Sequence, residues 1–203
     1  MQKSIQLYAM AYQDRSDRIR WLLEEMKVPY QDHFLKKAAG ELDSPDYRKI
    51  NPMGRTPTLV DGDIVMFESA AICLYLADRY AYGTLAPKLE DSKNRAEYLK
   101  WMVWSVGSLE CVIARMFTHV GTPEEKTQTL AFNKQQAEIF KLALNPILSR
   151  QDYILASGFS AADIMLGAIL PGAEEFLIKN NPPLEAYMNR LMKRDAAVRA
   201  KVF

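Results

Sequence analysis

Between Asn51 and Ile72 the chain constrains its own fold more tightly than anywhere else. It reads Asn51-Pro52-Met53-Gly54-Arg55-Thr56-Pro57, then two short apolar runs, Thr58–Val60 and Ile64–Phe67, split by Asp61-Gly62-Asp63. Two such runs separated by so few residues, a glycine among them, predict a β-hairpin. Pro57 stands where the first strand begins, so its missing N–H need not damage the ladder. Glu68–Tyr80 follows at once, with Ala71, Ile72, Leu74, Tyr75 and Leu76 on one apolar side, and is expected to be a helix.

Upstream, Ser4–Met10 alternates as a strand should, with Ile5, Leu7 and Ala9 on one side and Gln6, Tyr8 and Met10 on the other. Arg15–Met26 places Ile19, Leu22, Leu23 and Met26 at helical spacing. Pro29 ends that helix and opens a second strand, Tyr30–Leu35; Ser44–Ile50 reads as a short polar helix or turn closed by Asn51-Pro52. The order β-α-β-α-β-β-α predicts parallel pairing of the first two strands through a right-handed crossover, with the hairpin as an antiparallel edge. That is an α/β layer of the thioredoxin type.

The remainder predicts helices only. Residues 1–80 are expected to form the α/β domain, 81–91 a linker carrying Gly83 and Pro87, and 92–203 an all-helical domain. Ser92–His119 reads as one long amphipathic helix, with Tyr98, Trp101, Met102, Ser105, Leu109, Val112, Ile113 and Met116 sharing a face. Gly121-Thr122-Pro123 breaks it, and Pro123 suits the first turn of a helix running to about Ser149, where Pro146 threatens a kink or an earlier stop. Shorter helices are expected at Ser160–Ile169, Pro183–Lys193 and Asp195–Lys201.

Composition narrows the function classes. With 26 Lys plus Arg against 25 Asp plus Glu, the chain lacks the basic surplus a nucleic-acid binder uses on phosphates. Charges interrupt every apolar stretch well before the roughly 20 residues a membrane span needs. The N-terminus lacks a secretory pattern. Cys73 and Cys111 belong to no CxxC pair or metal-ligand spacing, and are expected to be buried thiols in a reducing cytoplasm. His33 and His119, two histidines in all, offer few parts for a metal site.

Two features carry chemistry. If the Thr56–Pro57 bond is cis, the turn presents the N–H and C=O of Thr56 to a peptide-like ligand; otherwise Pro57 merely initiates a strand. Glu68-Ser69 opens a helix directly after a strand, where exposed N–H groups and the helix dipole attract a carboxylate and the serine hydroxyl adds a donor. Glu68 would receive an ammonium group there, so an amino-carboxylate such as a γ-glutamyl moiety satisfies both. The competing reading is that the pair only caps its helix.

These residues carry a resemblance. "NPMGRTPTLVDGD" followed by "FESAAICLYLADRY" is similar to the glutathione-binding half of the cytosolic glutathione transferases, and the order and size of the two domains resemble that family over the whole chain. Roughly 90 residues downstream, Phe159-Ser160-Ala161-Ala162-Asp163-Ile164 resembles the family's buried N-capping box and hydrophobic staple, a structural device.

The resemblance implies glutathione as co-substrate, with its thiol held as the nucleophilic thiolate. It places the activating donor at the end of the first strand or in the loop after it. Aligned with the tyrosine-type classes, Arg15, Asp17 and Arg20 match a helix start and Ala9 takes the tyrosine position. Aligned with the serine-type bacterial enzymes, Ser16 to Arg20 match and Gln13 takes the serine position. Tyr12, Arg15, Ser16 and the Gln13 amide are therefore the candidates to stabilise the thiolate, with Tyr8 below Tyr12 because it points to the opposite face from Ala9. Arg55, Thr56, Pro57, Glu68 and Ser69 would hold the tripeptide, with Arg55 preferred over Lys36 or Lys37 for the glycyl carboxylate. Met10, Ala11, Trp104, Ser108 and Cys111 would line an apolar pocket, although a bundle core needs the same residue types.

The expected protein is a cytoplasmic homodimer, without metal, that joins glutathione thiolate to hydrophobic electrophiles. Glutathione-dependent peroxide reduction is a related possibility. A non-catalytic stress-response or partner-binding protein on the same fold is the rival, favoured by Ala9 and Gln13.

Overall fold

The computed structural model describes residues 4–118 and 121–203, so His119 and the side chain of Met116 lie outside the account. The chain divides into two compact units. The first comprises the N-terminal part through Ala86 together with Arg194–Phe203; the second is Pro87–Lys193.

The first unit contains β1 (Ile5–Ala9), α1 (Asp17–Met26), β2 (Tyr30–Phe34), α2 (Pro45–Ile50), β3 (Thr58–Asp61), β4 (Ile64–Phe67) and α3 (Ser69–Tyr80). The sheet order is β2-β1-β3-β4. β1 runs parallel to β2 in the register Ile5↔Tyr30 to Ala9↔Phe34, while β3 is antiparallel to both β1 and β4. The thioredoxin-like order read from the sequence is the observed one. Alternation on β1 drives Ile5, Leu7 and Ala9 into the core, where Ile19, Trp21, Leu22 and Leu23 of α1 and Ile72, Cys73, Leu76 and Ala77 of α3 meet them. α1 begins two residues later than expected because Asp14 draws Ser16 into a turn. Lys27 in the left-handed conformation then ends it. Two short 3₁₀ turns, Lys37–Ala39 and Glu41–Asp43, precede α2.

The second unit contains α4 (Ser92–Trp104), α5 (Glu110–Thr118), α6 (Pro123–Leu148), α7 (Ala161–Ile169) and α8 (Pro182–Met192). The single helix expected over Ser92–His119 is interrupted by a π-helical turn at Ser105–Leu109. Its apolar face is nonetheless continuous, since Tyr98, Trp101, Met102, Ser105, Leu109, Val112 and Ile113 are all buried. Thr122 and Glu125 form a capping box that starts α6, and the helix passes Pro146 to reach Leu148. Asp163 is fully buried: besides closing the expected capping box with Ser160, it accepts hydrogen bonds from the N–H of Ile154 (2.8 Å) and the Tyr187 hydroxyl (2.9 Å). Burial pushes its carboxyl up to about 6.

Two expectations need correction. The final helix, α9 (Asp195–Ala200), is not part of the helical unit; it returns to the first unit, where Arg194 and Arg199 pair with Glu25 and Glu24 of α1 at 2.6 and 2.7 Å and Phe203 meets Trp21 edge-on. Cys73 is buried as expected, but Cys111 is exposed, its thiol donating to the Val106 carbonyl at the π turn. Among the described residues, no helix is long and apolar enough to cross a membrane.

Candidate functional site

The loop after β1 is organised by Asp14. Its carboxylate accepts from the N–H groups of Met10 (3.1 Å), Ala11 (3.3 Å) and Ser16 (2.7 Å), and also from the Ser16 hydroxyl. Ser16 is thereby buried with its hydroxyl turned to Asp14, while Gln13, in the left-handed conformation, and Arg15 lie exposed at the bend. The sequence reading gave Asp14 no role; a carboxylate three residues before a helix start was the available signal.

Tyr12 is 42% exposed, yet its ring is fixed on several sides. Phe34 of β2 lies 5.2 Å away, the Arg20 guanidinium 4.9 Å and the Lys201 ammonium 4.5 Å from the ring centroid. Arg20 is 1% exposed and bonds Asp17 at 2.6 Å and both oxygens of Asp32 at 3.0 Å. Burial raises both carboxyls, that of Asp17 to about 6, although Arg20 opposes the shift. Tyr8, on the other face of β1, stacks on His33 with ring centroids 4.7 Å apart.

A cavity of about 850 Å³ opens between this loop and the segment after β2. Met10, Ala11, Tyr12, Phe34 and Leu35 form its apolar wall, and Lys36 to Ala39 complete the lining. Lys37 thus stands at this cavity.

The turn before β3 is held from behind. The Arg55 carbonyl accepts from the Tyr47 hydroxyl (2.6 Å), the Asn51 amide (2.8 Å) and the Thr58 hydroxyl (3.3 Å). Gly54 has φ +59°, and a Cβ there would meet the Arg48 guanidinium at 2.6 Å. The Thr56–Pro57 bond is cis. Among the described residues, the N–H and C=O of Thr56 have no hydrogen-bond partner, and the Arg55 side chain is exposed. Tyr47 and Asn51 were missed as positioning residues because their sequence signal, a helix ending at Asn-Pro, speaks only of termination.

At the start of α3, Glu68 has φ +71° and ψ 104°, outside the regions a side-chain-bearing residue prefers. Its exposed side chain makes no capping hydrogen bond, so the helix-capping alternative does not describe it. Ser69 is buried, and its hydroxyl oxygen accepts from the Arg18 guanidinium at 3.2 Å. The serine proton is therefore available to an acceptor, beside a buried cation and the N-terminus of a three-turn helix. Arg18 had no sequence signal as a partner of Ser69, because the two stand 51 positions apart.

In the second unit, the half-buried Trp104 packs edge-on against Trp101 (5.2 Å) and Phe140 (5.1 Å), Ser108 sits in the π turn and Cys111 one turn beyond. π turns of this kind recur at functional sites. Met10 and Ala11 belong to the first unit and these three to the second. Among the described residues, no group of three or more His, Cys, Asp or Glu could hold a metal ion.

Comparison with known proteins bears on the fold and the family. The family profile described as "Glutathione S-transferase, N-terminal domain" matches residues 3–78. The theta class glutathione S-transferase of Xanthomonas axonopodis pv. citri, solved with glutathione bound, is 32% identical, with a TM-score of 0.81 over 98% of this chain and 97% of that one. Glutathione S-transferase 3 of Schizosaccharomyces pombe is 39% identical over 95 residues, 47% of this chain and only 38% of the relative. A stringent starvation protein A homolog of Pasteurella multocida is 28% identical across 91% of this chain and 86% of its own length.

Proposed function

The chain belongs to the glutathione S-transferase family, and from that premise we propose that it binds glutathione on the first unit and transfers its thiolate to apolar electrophiles. The observation that carries the reading is the start of α3, where an uncommitted Glu68 carboxylate, a Ser69 hydroxyl and the Arg18 guanidinium meet. The γ-glutamyl carboxylate takes the Ser69 proton and the helix N–H groups, while its ammonium pairs with Glu68. The cysteinyl backbone adds to Thr56 as a short strand against Pro57, and Arg55 meets the glycyl carboxylate, with Lys37 as the alternative.

The thiol then lies toward the loop after β1. Tyr12 donates its phenolic hydrogen to the sulfur, and Arg15 favours the thiolate through its charge. Gln13 contributes its amide from the same bend. Ser16, with its hydroxyl committed to Asp14, serves by shaping the loop. In the transfer, the sulfur lone pair forms a C–S bond and the electrophile's leaving group departs with its electron pair. Holding both reactants supplies much of the rate. Met10 and Ala11 of the first unit are assigned to the apolar co-substrate. In this reading the protein acts in the cytoplasm as a homodimer.

Calorimetric titration with glutathione tests the binding half. Glu68→Ala and Ser69→Ala should each weaken binding about tenfold without changing the far-UV circular dichroism, since each removes a charge-assisted hydrogen bond. Unchanged affinity in both would overturn the site. A second reading, a stress-response protein that keeps glutathione binding without transfer, is favoured by Ala9 and Gln13 at the usual donor positions and by the name of the Pasteurella relative. Absence of thiolate absorbance from bound glutathione at pH 7 would select it.

A further inference from the structure

The cavity beside Tyr12 has a lopsided lining. Its wall is apolar, the basic side chains in it are Lys36 and Lys37, and no carboxylate lines it. The nearby acids each have hydrogen-bond partners, Glu41 at the backbone of Lys36 itself. Asp14 faces the N–H groups of its own loop, Glu41 accepts from the Lys36 backbone N–H at 2.6 Å, and Asp17 and Asp32 are committed to Arg20.

Cationic side chains also stand against the aromatic part of the wall, of which Arg20 is already paired with Asp17 and Asp32. Arg20 lies 4.9 and 5.1 Å from the Tyr12 and Phe34 rings, and its Nη2 is buried with no hydrogen-bond partner among the described residues. Lys201 adds an ammonium at the Tyr12 ring. A neutral apolar molecule would use the wall and leave the Lys36 and Lys37 ammonium groups unanswered. A molecule with an apolar body and a carboxylate would use both.

We propose that this cavity takes an apolar carboxylic acid, its body against Met10, Tyr12, Phe34 and Leu35 and its carboxylate between Lys36 and Lys37, so that the electrophiles this protein prefers carry an acid group. The inference rests on the proposed transferase reading for its chemistry and on the cavity alone for its ligand. It assigns Lys37 to the co-substrate instead of the glycyl carboxylate of glutathione. Both ligands present a carboxylate, so the test separates them.

4-Phenylbutyrate and 4-phenylbutyramide match in body and differ in charge. Their binding is measured by calorimetry on the full chain saturated with S-methylglutathione. The acid should bind about five- to tenfold more tightly at low ionic strength, with the difference shrinking toward unity in 0.5 M salt. Lys36→Met/Lys37→Met, at exposed positions, should erase the preference while leaving amide affinity unchanged. Equal binding of acid and amide by the parent protein overturns the proposal, as does a preference that survives in the double variant. Loss of S-methylglutathione affinity in that variant overturns it too, returning the lysines to the tripeptide.

The chemical arm uses 4-chloro-3-nitrobenzoate and its amide, in which glutathione sulfur bonds the ring carbon and chloride leaves with the electron pair. The catalysed-to-spontaneous rate ratio should favour the acid in the parent protein and favour neither in the double variant. A preference for the acid in binding with no catalysis of either compound would refute the transferase reading and leave the acid site standing.

Discussion

Arg20→Met should destabilise the first unit strongly, and more so in mild alkali than in mild acid. The guanidinium is 1% exposed and is bonded to Asp17 at 2.6 Å and to both oxygens of Asp32 at 3.0 Å. Removing it strands two carboxylates in a poorly hydrated place. Breaking a buried pair from one side costs about 3–5 kcal/mol. Asp32 keeps 16% side-chain exposure and can rehydrate in part, whereas Asp17 keeps 3%, so about 4 kcal/mol is expected at pH 8. The pH dependence follows from Asp17. Its folded pKa, about 6, lies above the ordinary 3.8, so the native state holds the extra proton and stability falls as pH rises between those values. Without the cation, which lowers that pKa, the group stays protonated to higher pH. At pH 5 Asp17 is already largely neutral, the pair is worth less, and the loss should be about half as large, on the order of 2 kcal/mol. Urea denaturation followed by circular dichroism reads this as a midpoint drop of about 2 M at pH 8 and about 1 M at pH 5, for an m-value near 2 kcal/mol/M. Adding Asp17→Asn and Asp32→Asn to Arg20→Met should recover much of the loss at pH 8. A drop below about 0.5 M at pH 8, or equal drops at both pH values, would refute the reasoning.

Two further outcomes are expected. Asp163→Ala leaves the N–H groups of Ile154 and Ser160 and the hydroxyls of Ser160 and Tyr187 without their buried acceptor, and should lower the melting temperature by about 10 °C, while a fall under about 3 °C would show that water or rearrangement replaces the carboxylate. Gly54→Ala should cost about 1 kcal/mol more than Gly62→Ala, because both have positive φ but only at Gly54 must the new Cβ displace Arg48 from the Pro52 carbonyl; equal melting temperatures would contradict that contact.

What was legible in the sequence follows from which forces are local. Alternation at Ile5, Leu7 and Ala9 placed β1, Asp61-Gly62-Asp63 placed the hairpin, and Ser160 with Asp163 placed the start of α7, because each signal and its structural consequence lie within a few residues. The π turn at Ser105–Leu109 went unread: the apolar face runs through it undisturbed, and its one signal, Gly107 beside Ser108, is equally compatible with an unbroken helix. The partner of α9 was equally hidden, since an amphipathic stripe states that a face is buried and not against what. At the site, Glu68 and Ser69 were legible as a strand-to-helix junction with polar chemistry. Arg18, which turns the Ser69 hydroxyl into a directed donor, was not, because that contact belongs to tertiary packing. Likewise nothing in the residue Cys111 itself distinguishes an exposed thiol from a buried one at the same apolar spacing.

The return of α9 to the first unit has a bearing on how the molecule is made. Residues 194–203 leave the ribosome only after the roughly hundred residues of Pro87–Lys193, which at about 5–20 residues per second takes several seconds. Throughout that interval Glu24 and Glu25 lack their arginines, Trp21 lacks Phe203, and Tyr12 lacks the Lys201 ammonium. The nascent α/β unit therefore waits for its last piece with one flank of α1 uncovered. A premature stop after the helical unit would leave a protein whose defect lies in the half that had been translated first.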